Sequence, residues 1–321
     1  MKTIKSFSIG IVCFSVILIA GCKKADNPKP VPVNPATITT TSITNDFGIS
    51  ATSGGSITSD GGSAVTARGI CWSKVDKPTI ADSKTVDSTG TGSFVSQLTD
   101  LSSNTTYYVR AYATNAAGTT YGNSVQFTTN TIDIDGNLYH SVTIGAQVWM
   151  VENLKVTHYR NGDPVPNVTD NAQWESLSQG AYCDYNNDPG NTAVYGHLYN
   201  NYSVVDQRNI CPDGWRLPTD ADWSQLEVFL GGNDVAGGKM KEAGTTHWTA
   251  PNTGADNSSG FTGVPGGNRG YGGFADLGNY AYFWAASESS YSRALLYNMA
   301  ATSGIGNNGN VLGLSIRCIK H

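Results

Sequence analysis

The residue types best suited to holding a polyol gather in one stretch. Residues 243–276 are rich in Gly and Asn and carry His247, Trp248, Asn252, Asp256, Asn257 and Arg269. An indole can lay its apolar face on a sugar ring, while amide, carboxylate and guanidinium groups bond the hydroxyls. Trp174 also has polar neighbours and is a further candidate. A loop this long in a compact domain is usually functional or mobile. These seven residues form the expected ligand-binding set. Asn252, Asp256 and Asn257 offer oxygens to a cation, but one carboxylate is a weak cage for calcium. A structural calcium has little support, and no metal or other cofactor is expected. Asp133 and Asp135 suggest a calcium loop until the register is tested: as its third and fifth positions they put Val142 where a Glu is required. Asp135-Gly136 reads instead as a hairpin turn. His140, His158, His197, His247 and His321 show no HExxH spacing, and the chain has no GxSxG elbow or phosphate loop. Catalysis is not expected.

Thiol chemistry divides by position. Residues 1–21 have Lys2 and Lys5 ahead of an apolar run at 9–20, the pattern of an export signal. The run is too short to span a membrane. It ends Ile19-Ala20-Gly21-Cys22, which resembles the lipobox of bacterial lipoproteins. That resemblance implies diacylglyceryl transfer to the Cys22 thiol, cleavage before it and stable anchoring by more than one acyl chain. The next residue is Lys23 rather than Asp, so the expected location is the outer membrane, facing outward. Cys71 is alone in its segment and reads as a buried, inert thiol. Cys183, Cys211 and Cys318 allow three single pairings. Cys211–Cys318 is favoured, because it ties the middle of the last domain to its end, although Cys183 could replace either partner.

Bulk properties set limits. The chain has 321 residues, 37 Gly and 16 Tyr, with only 14% charged residues. Its formal net charge is −5, and −7 once Lys2 and Lys5 leave with the leader. No basic stripe is present to neutralise phosphates, so nucleic acid is not an expected partner. Residues 22–36 contain Pro28, Pro30, Pro32 and Pro35 and favour polyproline II, a tether reaching up to ~40 Å from the lipid.

Residues 37–130 read as all-β, with strands near 37–43, 48–53, 65–73, 93–98, 106–115 and 121–128 separated by turn residues. Tyr107, Val109, Ala111 and Ala113 share one strand face. The block LSSNTTYYVRAYATNAAGTTYG resembles fibronectin type III domains: Leu101, Thr105 and Tyr107 match that family's corner, although Ser103 stands where Pro is usual. The resemblance implies an Ig-like sandwich, here read as a spacer rather than an adhesive module.

Residues 131–321 are organised around 210–229. Pro212-Asp213-Gly214 makes a turn, and Thr219 with Asp222 can cap a helix carrying Trp223, Leu226, Phe229 and Leu230 at helical spacing. CPDGWRLPTDADW, with YGHLYNNY, GGKMKEAGTTHW, PGGNR and SIRCIKH in order, resembles the Fibrobacter succinogenes major paralogous domain family. That implies a secreted or surface protein of Bacteroidetes-type bacteria and no settled activity. RLPTDADW also resembles the RLPTEAEW block of formylglycine-generating proteins, which implies an α+β C-type-lectin-like fold. Those enzymes use two late redox cysteines, and only Cys318 lies late here. The Glu-Pro-Asn and Trp-Asn-Asp triplets of calcium-dependent lectins are absent too. Trp149, Trp215, Trp223 and Trp284 are expected in the core, with Trp174 and Trp248 free to be exposed. The expected whole is a multidomain surface lipoprotein, an all-β sandwich followed by an α+β domain, that binds a glycan or a surface protein without catalysis. A structural envelope component is the alternative, and a glycan-active enzyme a minor one.

Overall fold

The computed structural model describes residues 3, 32–286, 291–306 and 309–321. Cys22, and the leader and tether expectations that rest on residues 4–31, lie outside the described residues. The chain is mostly β-sheet with few helices.

The first unit is a sandwich. One sheet orders β1 (Thr37–Thr40), β2 (Ala51–Ser59) and β5 (Gly92–Leu98). The other orders β4 (Ser83–Lys84), β3 (Ala67–Ser73), β6 (Thr106–Asn115) and β7 (Gly118–Tyr121), with β8 (Val125–Thr128) also on β6. Tyr107, Val109, Ala111 and Ala113 point inward, packed among Ile38, Ile57, Ile70, Phe94 and Leu98. The Tyr107 hydroxyl accepts the Ser102 N–H at 3.0 Å, pinning the chain where it enters β6. Strand boundaries shift. The second strand runs 51–59 rather than 48–53, and the strand expected at 121–128 is two, β7 and β8. Glycine is required at 54, because a Cβ there would meet the Phe94 carbonyl oxygen at 2.1 Å. Tyr112 is buried although it points away from the core, because its hydroxyl donates to the Thr85 carbonyl at 2.6 Å.

The second unit begins with the hairpin β9 (Thr131–Ile132) and β10 (Leu138–Tyr139). A four-stranded sheet orders β11 (Ser141–Ile144), β12 (Gln147–Met150), β21 (Ile319–Lys320) and β15 (Trp215–Arg216). A five-stranded sheet orders β17 (Gly273–Leu277), β16 (Gly266–Gly270), β18 (Tyr280–Trp284), β19 (Ser292–Leu296) and β20 (Thr302–Ile305), with β16 and β18 parallel. A two-residue pair, β13 (Tyr182–Cys183) with β14 (Leu198–Tyr199), lies between short helices α1 (Asn171–Glu175), α2 (Thr192–Tyr195) and α3 (Asn201–Val204). The longer helices are α4 (Asp220–Phe229) and α5 (Asn233–Met240).

Helix α4 starts where its cap predicts. Thr219 Oγ1 accepts the Asp222 N–H, and Asp222 Oδ2 accepts the Thr219 N–H at 2.7 Å. Arg216 grips the same carboxylate with two bonds, 2.7 and 2.8 Å. The Arg216 guanidinium, with help from Thr219, lowers the Asp222 carboxyl from 3.8 to about 2. A carboxyl whose pKa falls on folding stabilises the protein above its unfolded pKa, and that contribution is lost as pH falls through the folded value. After allowing for partial solvent screening, it amounts to about 1–2 kcal/mol. Asp222→Asn should therefore lower Tm at pH 7 and close the gap to the native chain by pH 2. A gap that persists unchanged at pH 2 would show that the ionised carboxylate does not matter.

The core is aromatic. Trp149, Trp223, Phe261 and Phe283 pack with centroids 4.7–5.8 Å apart between α4 and the five-stranded sheet. Trp215 and Trp284 pack with Met150, Leu154 and Ile316 around the Cys211–Cys318 disulfide, while Cys71 and Cys183 are free and buried. Phe229 departs from the helical-spacing expectation and is exposed. Helix α5 has no counterpart among the expected elements, and its two glycines lower helix propensity. They are needed for fit: a Cβ at Gly237 would meet the Ala301 carbonyl oxygen at 2.5 Å.

Candidate functional site

The long stretch is not an open binding loop. Residues 266–270 and 273–277 are strands β16 and β17, and the part before them, though exposed along much of 243–258, buries Trp248, Asn252, Phe261 and residues 263–265. Trp248 is 2% exposed and Trp174 1%, which corrects the expectation that both are free. An indole buries readily once its N–H finds an acceptor. Trp248 Nε1 donates to the Gly263 carbonyl at 2.9 Å, and Trp174 Nε1 to the Val311 carbonyl at 2.5 Å. Arg269 is likewise buried: it donates to the Val168 and Thr169 carbonyls and lies 4.6 Å over the Trp174 ring. Asn252 is buried too, and its amide braces the Glu242 and Gly244 carbonyls. Four of the seven candidates are therefore struts. Asn257 bonds Thr262, and Asp256 closes its own turn by accepting the Ser258 N–H. His247 is half-buried, paired with Glu242 at 2.8 Å and edge-on to Tyr195. These residues do not converge on one hollow.

A groove of about 260 Å³ forms elsewhere, where the β9–β10 turn meets the CPDG loop. Its lining includes Ile132, Ile134, Val156, His158, Arg160, Ile210, Pro212 and Asp213. Its polar groups are held partly by local turns and partly across the fold. Asp133 is buried and accepts the Asp135 N–H, the Asn137 N–H, the Asn137 amide and the Tyr139 hydroxyl, all at 2.8–2.9 Å. This folds the Asp135-Gly136 turn as the sequence predicts. Asp135 then reaches back to the Thr157 N–H and to His158 Nδ1, each at 2.5 Å. Burial alone would raise the Asp135 carboxyl, but the bonds from Thr157 and His158 outweigh it and lower it. The imidazole is thus fixed through Nδ1.

Arg160 is the other anchor. Its Nε and Nη2 donate to the Cys211, Pro212 and Trp215 carbonyls at 2.6–3.0 Å. Guanidinium has five N–H donors, and Nη1 takes no protein acceptor among the described residues. No carboxylate pairs with Arg160 there, whereas Arg208, Arg216 and Arg293 are all ion-paired. Arg160 stands in no motif, and His158 has no metal-ligand spacing. No local motif links either residue to 133–135 or 211–215, so only the fold reveals them. Among the described residues no three His, Cys, Asp or Glu side chains converge as a metal would require.

A second hollow of about 600 Å³ lies between α4 and the β11–β12 turn, lined by Ile144, Ala146, Gln147, Gln225, Val228 and Phe229. It offers less chemistry, because Gln147 already bonds the Asp222 carbonyl and Trp149 Nε1.

Comparison with known proteins places the loop that Arg160 holds inside a family domain: the Fibrobacter succinogenes major domain matches residues 142–320, more than half of the chain. The chain belongs to this family. Its CPDGW loop forms one wall of the groove, and the β9–β10 hairpin, ahead of the matched residues, supplies another. No curated protein matches the chain. Among solved structures, the sensor domain of the anti-sigma factor RsgI4 of Pseudobacteroides cellulosolvens is similar at 17% identity, over 32% of this chain and all of that one. Its TM-score is 0.25, too low to carry any argument about this chain. No helix among the described residues is long and apolar enough to cross a membrane.

Proposed function

We propose that the protein is an outer-membrane surface lipoprotein, anchored through Cys22, whose family domain binds a glycan or a protein without catalysis. The sandwich acts as a spacer, and the finer architecture of the family domain is C-type-lectin-like. The observation that carries the binding role is the groove around Arg160: a concave, partly apolar surface holding a guanidinium that is anchored on three carbonyls and has no ion pair among the described residues. Sites of this kind, mostly apolar with a few convergent polar groups, are where ligands bind. The lipobox residues and the absence of a catalytic motif support the remainder.

Glycan-array binding by the soluble mature chain, residues 26–321, tests this reading. Saturable binding is expected, weakened at least tenfold by Ile134→Asp at unchanged Tm, because Ile134 is 54% exposed. Folded protein that binds neither glycans nor surface proteins would leave the envelope-scaffold alternative in its place.

A further inference from the structure

Resting on the reading of this groove as a ligand site, we infer that it takes a carboxylate-bearing sugar, a uronate-type ring. Three features of the groove match three features of such a ring. Arg160 keeps Nη1 as its free donor, able to give a carboxylate one charge-assisted hydrogen bond. Its other donors are spent on three backbone carbonyls, so the guanidinium is already oriented before a ligand arrives. A hydrogen bond between ionised partners is shorter and roughly twice as strong as a neutral one, and pre-organisation removes part of the ordering cost of binding. His158 is held by Asp135 through Nδ1. In the neutral tautomer with Nδ1–H, its Nε2 is an acceptor suited to a sugar hydroxyl. Ile132, Ile134, Val156 and Ile210 supply an apolar wall for the C–H face of the ring. A space of about 260 Å³ is just below the usual size of ligand pockets, which suits one ring rather than a chain.

The negative groups nearby must be weighed against this. Asp133 is saturated by four internal donors and Asp135 by Thr157 and His158. Asp213 is exposed on the rim and makes no ion pair among the described residues. It therefore weakens anion binding without blocking it, and gives the proposal a second handle.

Calorimetric titration of the full mature chain with sodium galacturonate, its uncharged methyl ester and galactose tests the assignment. Galacturonate is expected to bind at least tenfold tighter than the ester, with the advantage shrinking in high salt, which screens charge. Ile134→Asp is expected to weaken galacturonate by tenfold or more and the ester by less. Asp213→Asn is expected to strengthen galacturonate two- to fivefold. These surface variants keep the test informative even if Arg160→Lys, which removes a prop of the CPDG loop, fails to fold. Equal affinity for acid and ester, or weaker acid binding in Asp213→Asn, would overturn the assignment. If galactose or a neutral glycan binds instead and still depends on Ile134, the acidic class falls and the groove stands. If no sugar binds, the acidic class falls, and binding of a surface protein that depends on Ile134 would preserve the groove alone.

Discussion

Trp223→Ala is expected to destabilise the family domain by about 3–5 kcal/mol, the usual cost of removing a fully buried large aromatic. Trp223 stands on the inner face of α4, 4.7 Å from Trp149 and 5.7–5.8 Å from Phe283 and Phe261. Its removal opens a hole among rigid rings that cannot close by a small shift, since interiors pack as densely as crystals. Trp223→Phe should cost much less. The indole nitrogen makes no hydrogen bond among the described residues, so phenylalanine forfeits no polar contact there and only part of the volume. Urea unfolding gives the comparison directly. An unfolding free energy for Trp223→Ala within about 1 kcal/mol of the native chain would mean that α4 is not the centre of this core.

Breaking the disulfide is the second large effect. Cys211 and Cys318 are 107 residues apart. In the chain-entropy model, a crosslink closing a loop of that length contributes roughly 4–5 kcal/mol, less any strain it imposes. The bond also joins the groove wall to the core, because Cys211 lines the groove and Cys318 packs with Met150 and Trp215. Cys211→Ser with Cys318→Ser is therefore expected to lower both the unfolding midpoint and ligand affinity. Mass spectrometry under non-reducing conditions should recover the 211–318 crosslinked peptide with Cys183 alkylatable only after unfolding. A 183–211 or 183–318 peptide would contradict the pairing.

What the sequence disclosed was local. The Thr219–Asp222 cap, the Asp135-Gly136 turn and the Tyr107 corner are each set by residues within a few positions, and each stands where its motif indicates. The four tryptophans among apolar neighbours are in the core. What escaped was settled at long range. Trp174 had only polar neighbours to read, and its N–H acceptor, Val311, lies 137 positions away. The glycines of α5 signal against a helix unless Ala301 is known to lie against them. The groove is the clearest case: Arg160 bonds carbonyls 51 to 55 positions on, and Asp135 meets a histidine 23 positions later. No spacing rule joins those segments, so the candidate site moved from the long loop to a place the sequence did not mark.

Hydrogen exchange on the full mature chain, with and without a glycan taken from the array, tests the central claim most directly. Slowed exchange confined to residues 132–135, 156–160 and 209–214 is the result expected if the Arg160 groove is the binding site. Protection centred on residues 243–262, with the groove unchanged, would contradict it and return the ligand to the long stretch first singled out.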